Sequence, residues 1–194
     1  MQLAEVPLKN AYIGEYTSRL PTAYQEVEYI ENSWTQYIDT WYKPSAASTA
    51  EIKYNILTRP FWYEEYIFAI WDSWCRWRAW FNAEGGAVTG FGFNYTPNLA
   101  LNTVIVSSWA TTGSYKTSNN SVYLFCQNEN GTAYHLRGSM RLYYCKIWTN
   151  SVLEREFIPC YRKLDGVIWL YDTVNDVFYT NAWSWTFSKW SDVN

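Results

Sequence analysis

The sequence predicts an all-β protein built as a two-sheet antiparallel β-sandwich. Short segments with strand patterns recur at intervals of about ten residues, as they do in sandwiches and barrels. No window shows the 3.6-residue apolar period of an amphipathic helix. The chain has 194 residues, a length at which an all-β sandwich often remains a single domain. We therefore expect one domain, with a core large enough to fold without disulfide bonds.

Two segments carry the strand prediction most directly. Residues 51–56 alternate polar and apolar side chains, which is typical of a strand with one buried face. Residues 66–70 are continuously apolar, which is typical of a strand buried on both faces. Further strand patterns occur at residues 27–30, 36–39, 103–107, 121–126, 141–148, 157–160, 167–171 and 177–179.

Turn signals separate these segments. Residues 128–131 contain Asn-Gly, the pair most typical of a tight hairpin turn. Residues 172–176 predict a turn between the last two strands, and the glycines at 85, 86, 90 and 92 predict hairpin-like pieces. Residues 1–19 show no strand pattern, so we assign them as an N-terminal leader or linker and residues 20–194 as the sandwich domain.

Charge and hydropathy argue against two kinds of partner. The net charge is −3, whereas a nucleic-acid partner is usually met by a basic stripe. No apolar run reaches the roughly 18–20 residues of a membrane helix, so we expect no membrane span. Residues 1–19 also lack an apolar stretch of signal-peptide length.

The cysteines and the single histidine form no recognisable metal-binding or catalytic motif. Cys75, Cys126, Cys145 and Cys160 form no C-x-x-C pair, so zinc has no support. Free buried thiols are favoured for them, and disulfides whose partners the sequence leaves open are the alternative. The single histidine, His135, has no nucleophile-elbow motif beside it.

The acidic residues form neither a glycosidase pattern nor a complete calcium loop. A retaining or inverting glycosidase needs two carboxylates that flank the sugar bond, and the chain has no three-acid run of the kind found on such strands. Asp172 and Asp176 match no complete calcium loop. No catalytic residue, metal or cofactor is therefore expected. The closely spaced acidic pairs, for which a solvated surface is the favoured interpretation, are Glu26 with Glu28, Glu64 with Glu65, and Glu154 with Glu156.

Several collinear motifs resemble a known family. Residues 20–31, LPTAYQEVEYIE, resemble the opening of a laminin-G-like module found in phage tail and bacterial surface proteins. The resemblance covers roughly residues 20–190, and it implies a concanavalin-like jelly roll of two antiparallel sheets. Residues 8–16 are similar, more weakly, to phage-associated proteins. The later motifs lie at residues 35–40, 42–44, 157–160, 170–174 and 178–181.

The resemblance implies a non-enzymatic binding module of a virion or a bacterial cell surface, such as a tail-associated adhesin. The expected partner is a glycan or a host-surface protein, together with other tail or surface proteins. The alternatives are a purely structural module for decoration or oligomerisation and, less favoured, a glycoside hydrolase. Sugar sites pair an aromatic platform with a few polar groups. The candidate ligand-binding residues are Tyr63, Tyr66, Arg76, Arg78, Asn94 and Tyr95.

The tryptophans depart from the family pattern in a systematic way. The chain has 13 tryptophans and only 9 glycines, although turns need the positive φ angles that glycine reaches freely. Tryptophan stands where family members usually carry glycine, and a tryptophan forced to positive φ is strained by about 1–3 kcal/mol. The positions are Trp34, Trp41, Trp169, Trp183, Trp185 and Trp190, with Trp71 and Trp74 as further candidates.

We hypothesise that many of these tryptophans are encoded by UGA codons. Some bacterial lineages and their phages read UGA as glycine, whereas a common alternative table reads it as tryptophan. Genuine tryptophans selected for stacking on sugars are the competing interpretation. Trp148 lies in a predicted strand and is expected to be genuine.

Overall fold

The computed structural model describes residues 19–58, 65–71, 76–81, 88–90, 93–95, 101–110, 117–134 and 138–193. Within these ranges the regular structure is entirely β, without a helix, which confirms the predicted class. The strands are β1 (Tyr24–Glu26), β2 (Ile30–Glu31), β3 (Ile38–Asp39), β4 (Ser48–Thr58), β5 (Glu65–Trp71), β6 (Arg76–Phe81), β7 (Val88–Gly90), β8 (Phe93–Tyr95), β9 (Val104–Ala110), β10 (Tyr123–Leu124), β11 (Gln127–Glu129), β12 (Thr132–Tyr134), β13 (Ser139–Thr149), β14 (Val152–Arg162), β15 (Ile168–Asp172), β16 (Val177–Tyr179) and β17 (Ser188–Lys189).

The strands form two sheets that pack against each other. The first sheet contains β16-β15-β14-β13 in that order, with β4 beside β13 and β9 beside β4, and β1, β2 and β17 complete it. The second sheet runs β12-β11-β5-β6-β7-β8, with β10 beside β5 and β3 beside β10. The described pairs are antiparallel except for β5 with β11, which is parallel. The predicted two-sheet sandwich is therefore confirmed, while its jelly-roll connectivity stays a prediction.

The main core lies between the sheets and follows from side-chain alternation. On β4, Ile52, Tyr54 and Ile56 are buried, whereas Glu51 and Lys53, which alternate with them, are only partly covered. Burying an aliphatic or aromatic side chain of this size contributes about 1.5–3 kcal/mol. The alternation leaves Glu51 and Lys53 on the outer face of the first sheet, where a ligand has access to them.

A smaller cluster covers the outer face of β14. Ile158 and Cys160 point away from the main core and pack with Leu20 and Tyr171. The ring of Tyr24 stacks on Phe178 with centroids 3.8 Å apart, which closes this cluster. The chain from Leu20 onward therefore contributes directly to the packing of the sandwich.

Two predicted turns are confirmed and one predicted strand is broken. Asn130 and Gly131 form the tight turn between β11 and β12, both with positive φ. Residues 173–176 connect β15 to β16. β7 and β8 pair antiparallel, but the glycines at 85, 86 and 92 lie outside the described residues. The run 121–126 is split because Phe125 has φ 70°, so that β10 is antiparallel to β5 but β11 is parallel to it.

Three of the cysteines are buried free thiols: Cys126, Cys145 and Cys160. Cys75, like His135 and residues 1–18, lies outside the described residues. In the described part of the chain, no helix has the length and apolar character needed to span a membrane.

Candidate functional site

The hairpin of β13 and β14 opens at the end opposite its turn. The two strands pair from Thr149 and Val152 as far as Cys145 and Phe157. Beyond that point β14 pairs with β1 and β13 pairs with β2. The chain segment 24–31 therefore enters the opening between the two strands and makes a fork in the sheet.

A segment distant in sequence closes the fork. Lys189 pairs with Ile30, and Asp192 forms an isolated β-bridge with Val27. The backbone N–H of Val193 donates to the carbonyl of Glu26 at 3.0 Å. Residues 24–31 and 188–193 are thus held together by main-chain hydrogen bonds, which fixes the shape of the outer surface at this point.

A cleft of about 300 Å³ lies at the fork, on the outer face of the first sheet. The pairing of β13 with β4 shifts register between Leu142 and Tyr144, and this irregularity brings two consecutive tyrosines to the same side. We call this feature the fork cleft. Its lining residues are Arg19, Glu26, Val27, Glu28, Lys53, Tyr143, Tyr144, Lys146, Glu156, Ile158 and Val193.

The charges of the fork cleft balance. Arg19, Lys53 and Lys146 face Glu26, Glu28 and Glu156. A guanidinium nitrogen of Arg19 lies 3.0 Å from Glu156 and the other lies 3.4 Å from Glu26. The ammonium of Lys146 lies 3.3 Å from Glu156. A cleft without a net charge suits an uncharged polar ligand better than a strongly anionic or cationic one.

Glu156 is held as a carboxylate. Burial acts to raise its pKa, but the hydrogen bond from Thr173 and the charges of Lys146 and Arg19 outweigh burial, so that the pKa is lowered. The Thr173 hydroxyl donates to Oε2 at 2.7 Å, while Oε1 receives Arg19 and Lys146. Both oxygens are therefore engaged.

The two tyrosines of the fork cleft are anchored by neighbours on β4. The hydroxyl of Tyr144 donates to Oε1 of Glu51 at 2.9 Å, and burial together with this hydrogen bond raises the pKa of Tyr144 to about 12. The ammonium of Lys53 lies 4.9 Å from the ring centroid of Tyr143. These contacts give Tyr144 a fixed orientation before any ligand binds.

An aromatic ladder extends from the fork cleft toward the C-terminal segment. Tyr143 packs against Tyr29 with ring centroids 5.2 Å apart, and Tyr29 stacks on Trp190 at 6.0 Å. Arg141 lies over the ring of Tyr29 at 4.5 Å while it pairs with Glu31 at 2.9 Å. The ladder leaves Trp190 exposed at its outer end.

The sequence-predicted site residues belong to the second sheet instead. Tyr66 lies in β5 and is buried, and its hydroxyl accepts a hydrogen bond from Arg78 of β6 at 3.2 Å. The ring of Tyr66 therefore offers no face to solvent. Arg78 also lies over Trp71 at 4.3 Å, and for Arg78 the binding role stays a prediction.

The other four predicted ligand-binding residues lie in β6, in β8 or outside the described residues. Arg76 lies in β6, and Asn94 and Tyr95 lie in β8. Tyr63 lies outside the described residues. Since β5, β6, β7 and β8 are consecutive neighbours, five of the six predicted residues share one sheet, but that sheet does not contain the fork cleft.

The comparisons with known proteins found no relative. No family model, curated protein or solved structure matches the chain. Among the described residues, no group of three or more His, Cys, Asp or Glu side chains is arranged to hold a metal ion. The fork cleft is therefore the feature from which a function can be inferred.

Proposed function

We propose that this chain is a non-enzymatic binding module of a phage tail or a bacterial cell surface, and that it recognises a glycan at the fork cleft. The observation that carries the proposal is that two tyrosines, Tyr143 and Tyr144, line the same cleft as equal numbers of acidic and basic side chains. Sites for small polar ligands combine aromatic surface with a few placed polar groups. The surface location is supported by the likeness of residues 20–31 to the opening of laminin-G-like modules.

Two charged groups of the fork cleft are available for sugar hydroxyls. Among the described residues, neither Lys53 nor Glu28 takes part in an ion pair. Lys53 offers N–H donors and Glu28 offers carboxylate acceptors, so together they match the donor and acceptor character of a hydroxyl. Tyr144, whose hydroxyl is held by Glu51, supplies the aromatic surface beside them.

The dimensions of the fork cleft favour a short oligosaccharide over a protein surface. A volume of about 300 Å³ lies at the lower end of the range of small-molecule sites. A stable protein partner instead covers about 800 Å² on each side. The cleft suits the end or a short internal stretch of a glycan chain.

The acid chemistry of the fork cleft supports binding without cleavage. A glycosidase needs a carboxylic acid whose pKa is raised so that it can protonate the leaving oxygen. The pKa of Glu156 moves in the opposite direction, because of Thr173, Lys146 and Arg19. Its neighbour Glu26 is bound to the same Arg19.

A glycan array followed by calorimetric titration tests the proposal. Neutral oligosaccharides are expected to be retained above anionic ones, and Lys53→Ala or Tyr144→Ala is expected to weaken binding about tenfold, equivalent to about 1.4 kcal/mol. Lys163→Ala and Tyr134→Ala are matched controls, because both side chains are exposed and lie outside the fork cleft. These controls are expected to bind as the unaltered chain does.

Other outcomes would identify the competing functions. Absence of binding across the array would contradict the proposal and favour a structural module. Release of reducing sugar from a retained oligosaccharide would contradict the non-enzymatic part. If the control variants lose as much glycan affinity as Lys53→Ala and Tyr144→Ala, the glycan binds somewhere other than the fork cleft.

A further inference from the structure

In the part of the chain that the structure describes, three tryptophans have a backbone conformation that suits glycine. Trp34 has φ 96°, Trp41 has φ 54° and Trp185 has φ 74°. Of the six other non-glycine residues with positive φ among the described residues, four are Asn or Asp, which tolerate it: Asn102, Asn130, Asn150 and Asp176. Asn and Asp side chains are short and bond locally to the backbone, whereas a large side chain at positive φ is strained.

Burial does not offset this strain at the three tryptophans. Their side chains are 59%, 62% and 78% exposed at positions 34, 41 and 185. The ring of Trp41 contacts Tyr179 at 4.9 Å but remains largely in solvent. Phe125 is the contrasting case, because it has φ 70° yet is 1% exposed and packs on Phe187 at 5.1 Å.

The turn around Trp185 is built by a neighbouring side chain. The Asn181 amide donates to the carbonyls of Trp183 at 2.9 Å, Ser184 at 3.1 Å and Trp185 at 2.6 Å. Its Oδ1 accepts from the backbone N–H of Tyr37 at 3.0 Å. The main chain is therefore fixed without any contribution from the indole.

The turn around Trp34 is built in the same way by Gln36. Its Oε1 accepts from the backbone N–H of Ser33 at 2.9 Å and Thr35 at 3.3 Å. Its Nε2 donates to the carbonyl of Thr186 at 2.9 Å, which ties this turn to the turn at Asn181. Trp34 lies between the two N–H groups that Gln36 holds.

The main chain on both sides of Trp41 is also fixed. The N–H of Thr40 donates to the carbonyl of Val122 at 3.1 Å, and the N–H of Val122 donates to the carbonyl of Tyr42 at 2.9 Å. The N–H of Trp41 itself donates to Oδ1 of Asp39 at 2.9 Å. The positive φ at position 41 is thus imposed by its neighbours.

We infer that positions 34, 41 and 185 are glycine in the protein as its source makes it, and that each is encoded by a UGA codon read there as glycine. Glycine reaches these φ values without strain. A single reassigned codon explains why the same large residue recurs at three separate turns. The indoles at these positions then take no part in ligand binding, and the aromatic surface for a sugar is left to the tyrosines of the fork cleft.

Other tryptophans of the described residues lack the positive φ of these three positions. Trp77 is buried in the main core, where it packs edge-on against Phe68 at 5.1 Å, so we expect a genuine tryptophan there. Trp169, Trp183 and Trp190 do not have positive φ. At these last three positions the backbone is compatible with either residue.

Peptide mass spectrometry of the protein from its natural source is the direct test. Peptides that cover positions 34, 41 and 185 are expected to have the mass of a glycine residue there, and position 77 the mass of tryptophan. A tryptophan mass at 34, 41 or 185 overturns the inference for that position. A UGG codon in the gene at any of the three would overturn it equally.

Melting temperatures of recombinant variants test the strain independently. Trp34→Gly, Trp41→Gly and Trp185→Gly are each expected to melt about 2–4 °C above the corresponding alanine variant. Both variants of a pair lack the indole, so the difference reports the backbone alone. Phe125→Gly is expected to melt lower than the unaltered chain because it empties a core position. Equal melting of the glycine and alanine variants at all three turns would contradict the inference.

Discussion

Oδ2 of Asp172 lies 3.4 Å from Nε of Arg155, and the Asp172 side chain is completely buried. The guanidinium nitrogen is within ion-pair distance but is not aligned for a hydrogen bond. Asp172 instead accepts hydrogen bonds from the backbone of Glu156 and Val174, both at 3.1 Å, and from the Asn175 amide at 2.7 Å. The carboxylate therefore joins β14 to the turn that follows β15.

Asp172→Ala is expected to destabilise the domain by about 3–5 kcal/mol, because it removes the counter-charge of the mostly buried Arg155 and the acceptor of two backbone N–H groups. Urea denaturation followed by tryptophan fluorescence measures this change. Asp165→Ala is the control, since Asp165 pairs with Arg162 at the exposed surface, where ion pairs contribute little. Similar losses in both variants would contradict the role of burial.

Glu156→Gln is expected to remove part of the pH dependence of stability. The folded pKa of Glu156 is below its ordinary value of 4.5. Its contribution is therefore fully present above that pH and is lost as the pH falls through the folded pKa. The melting temperatures of Glu156→Gln and the unaltered chain should differ most near neutral pH and converge in acid. Glu154→Gln, on the same strand, serves as the control, and a constant difference at every pH would contradict the expectation.

Asn181→Ala is expected to destabilise the domain by about 1–3 kcal/mol, because it removes the partner of several backbone groups at once. The measurement is again urea denaturation. Thr180→Ala is the adjacent control, since its hydroxyl makes one bond of 3.4 Å to the carbonyl of Ile168. If the two variants lose equal stability, the turn is not held by the Asn181 amide.

Cys145 and Cys160 are expected to resist thiol reagents in the folded protein at about pH 8, because the thiolate is the reactive form. Burial raises the pKa of both thiols, and that of Cys160 reaches about 12. Labelling followed by peptide mapping in a Cys75→Ser background measures the reaction before and after denaturation. Rapid labelling of either cysteine in the folded state would contradict the expected burial.

The sequence predicted those strands and turns whose conformation depends on neighbouring residues in the chain. Residues 51–56 alternate because one face of β4 meets the core, and they lie within the strand Ser48–Thr58. Asn130 and Gly131 form the predicted turn because both residue types accept positive φ. The positive φ at Trp34, Trp41 and Trp185 also follows turn signals that are visible in the sequence.

The fork cleft was missed because it depends on pairings between distant residues. Glu31 pairs with Arg141, and Glu26 pairs with Cys160. Strict alternation also predicts opposite faces for Tyr143 and Tyr144, whereas the register shift in β13 places both in the cleft. The alternation of β4 did place Lys53 and Glu51 on the outer face, and that was the one signal available for this site.

The closure of the fork by residues 188–193 has a consequence for biosynthesis. Val27 finds its partner at Asp192, and Ile30 finds its partner at Lys189. A nascent chain on the ribosome therefore cannot complete the first sheet until these late residues have left the exit tunnel. Contacts of such long sequence separation slow folding. Until then, residues 24–31 keep a backbone edge that lacks its partners at residues 188–193.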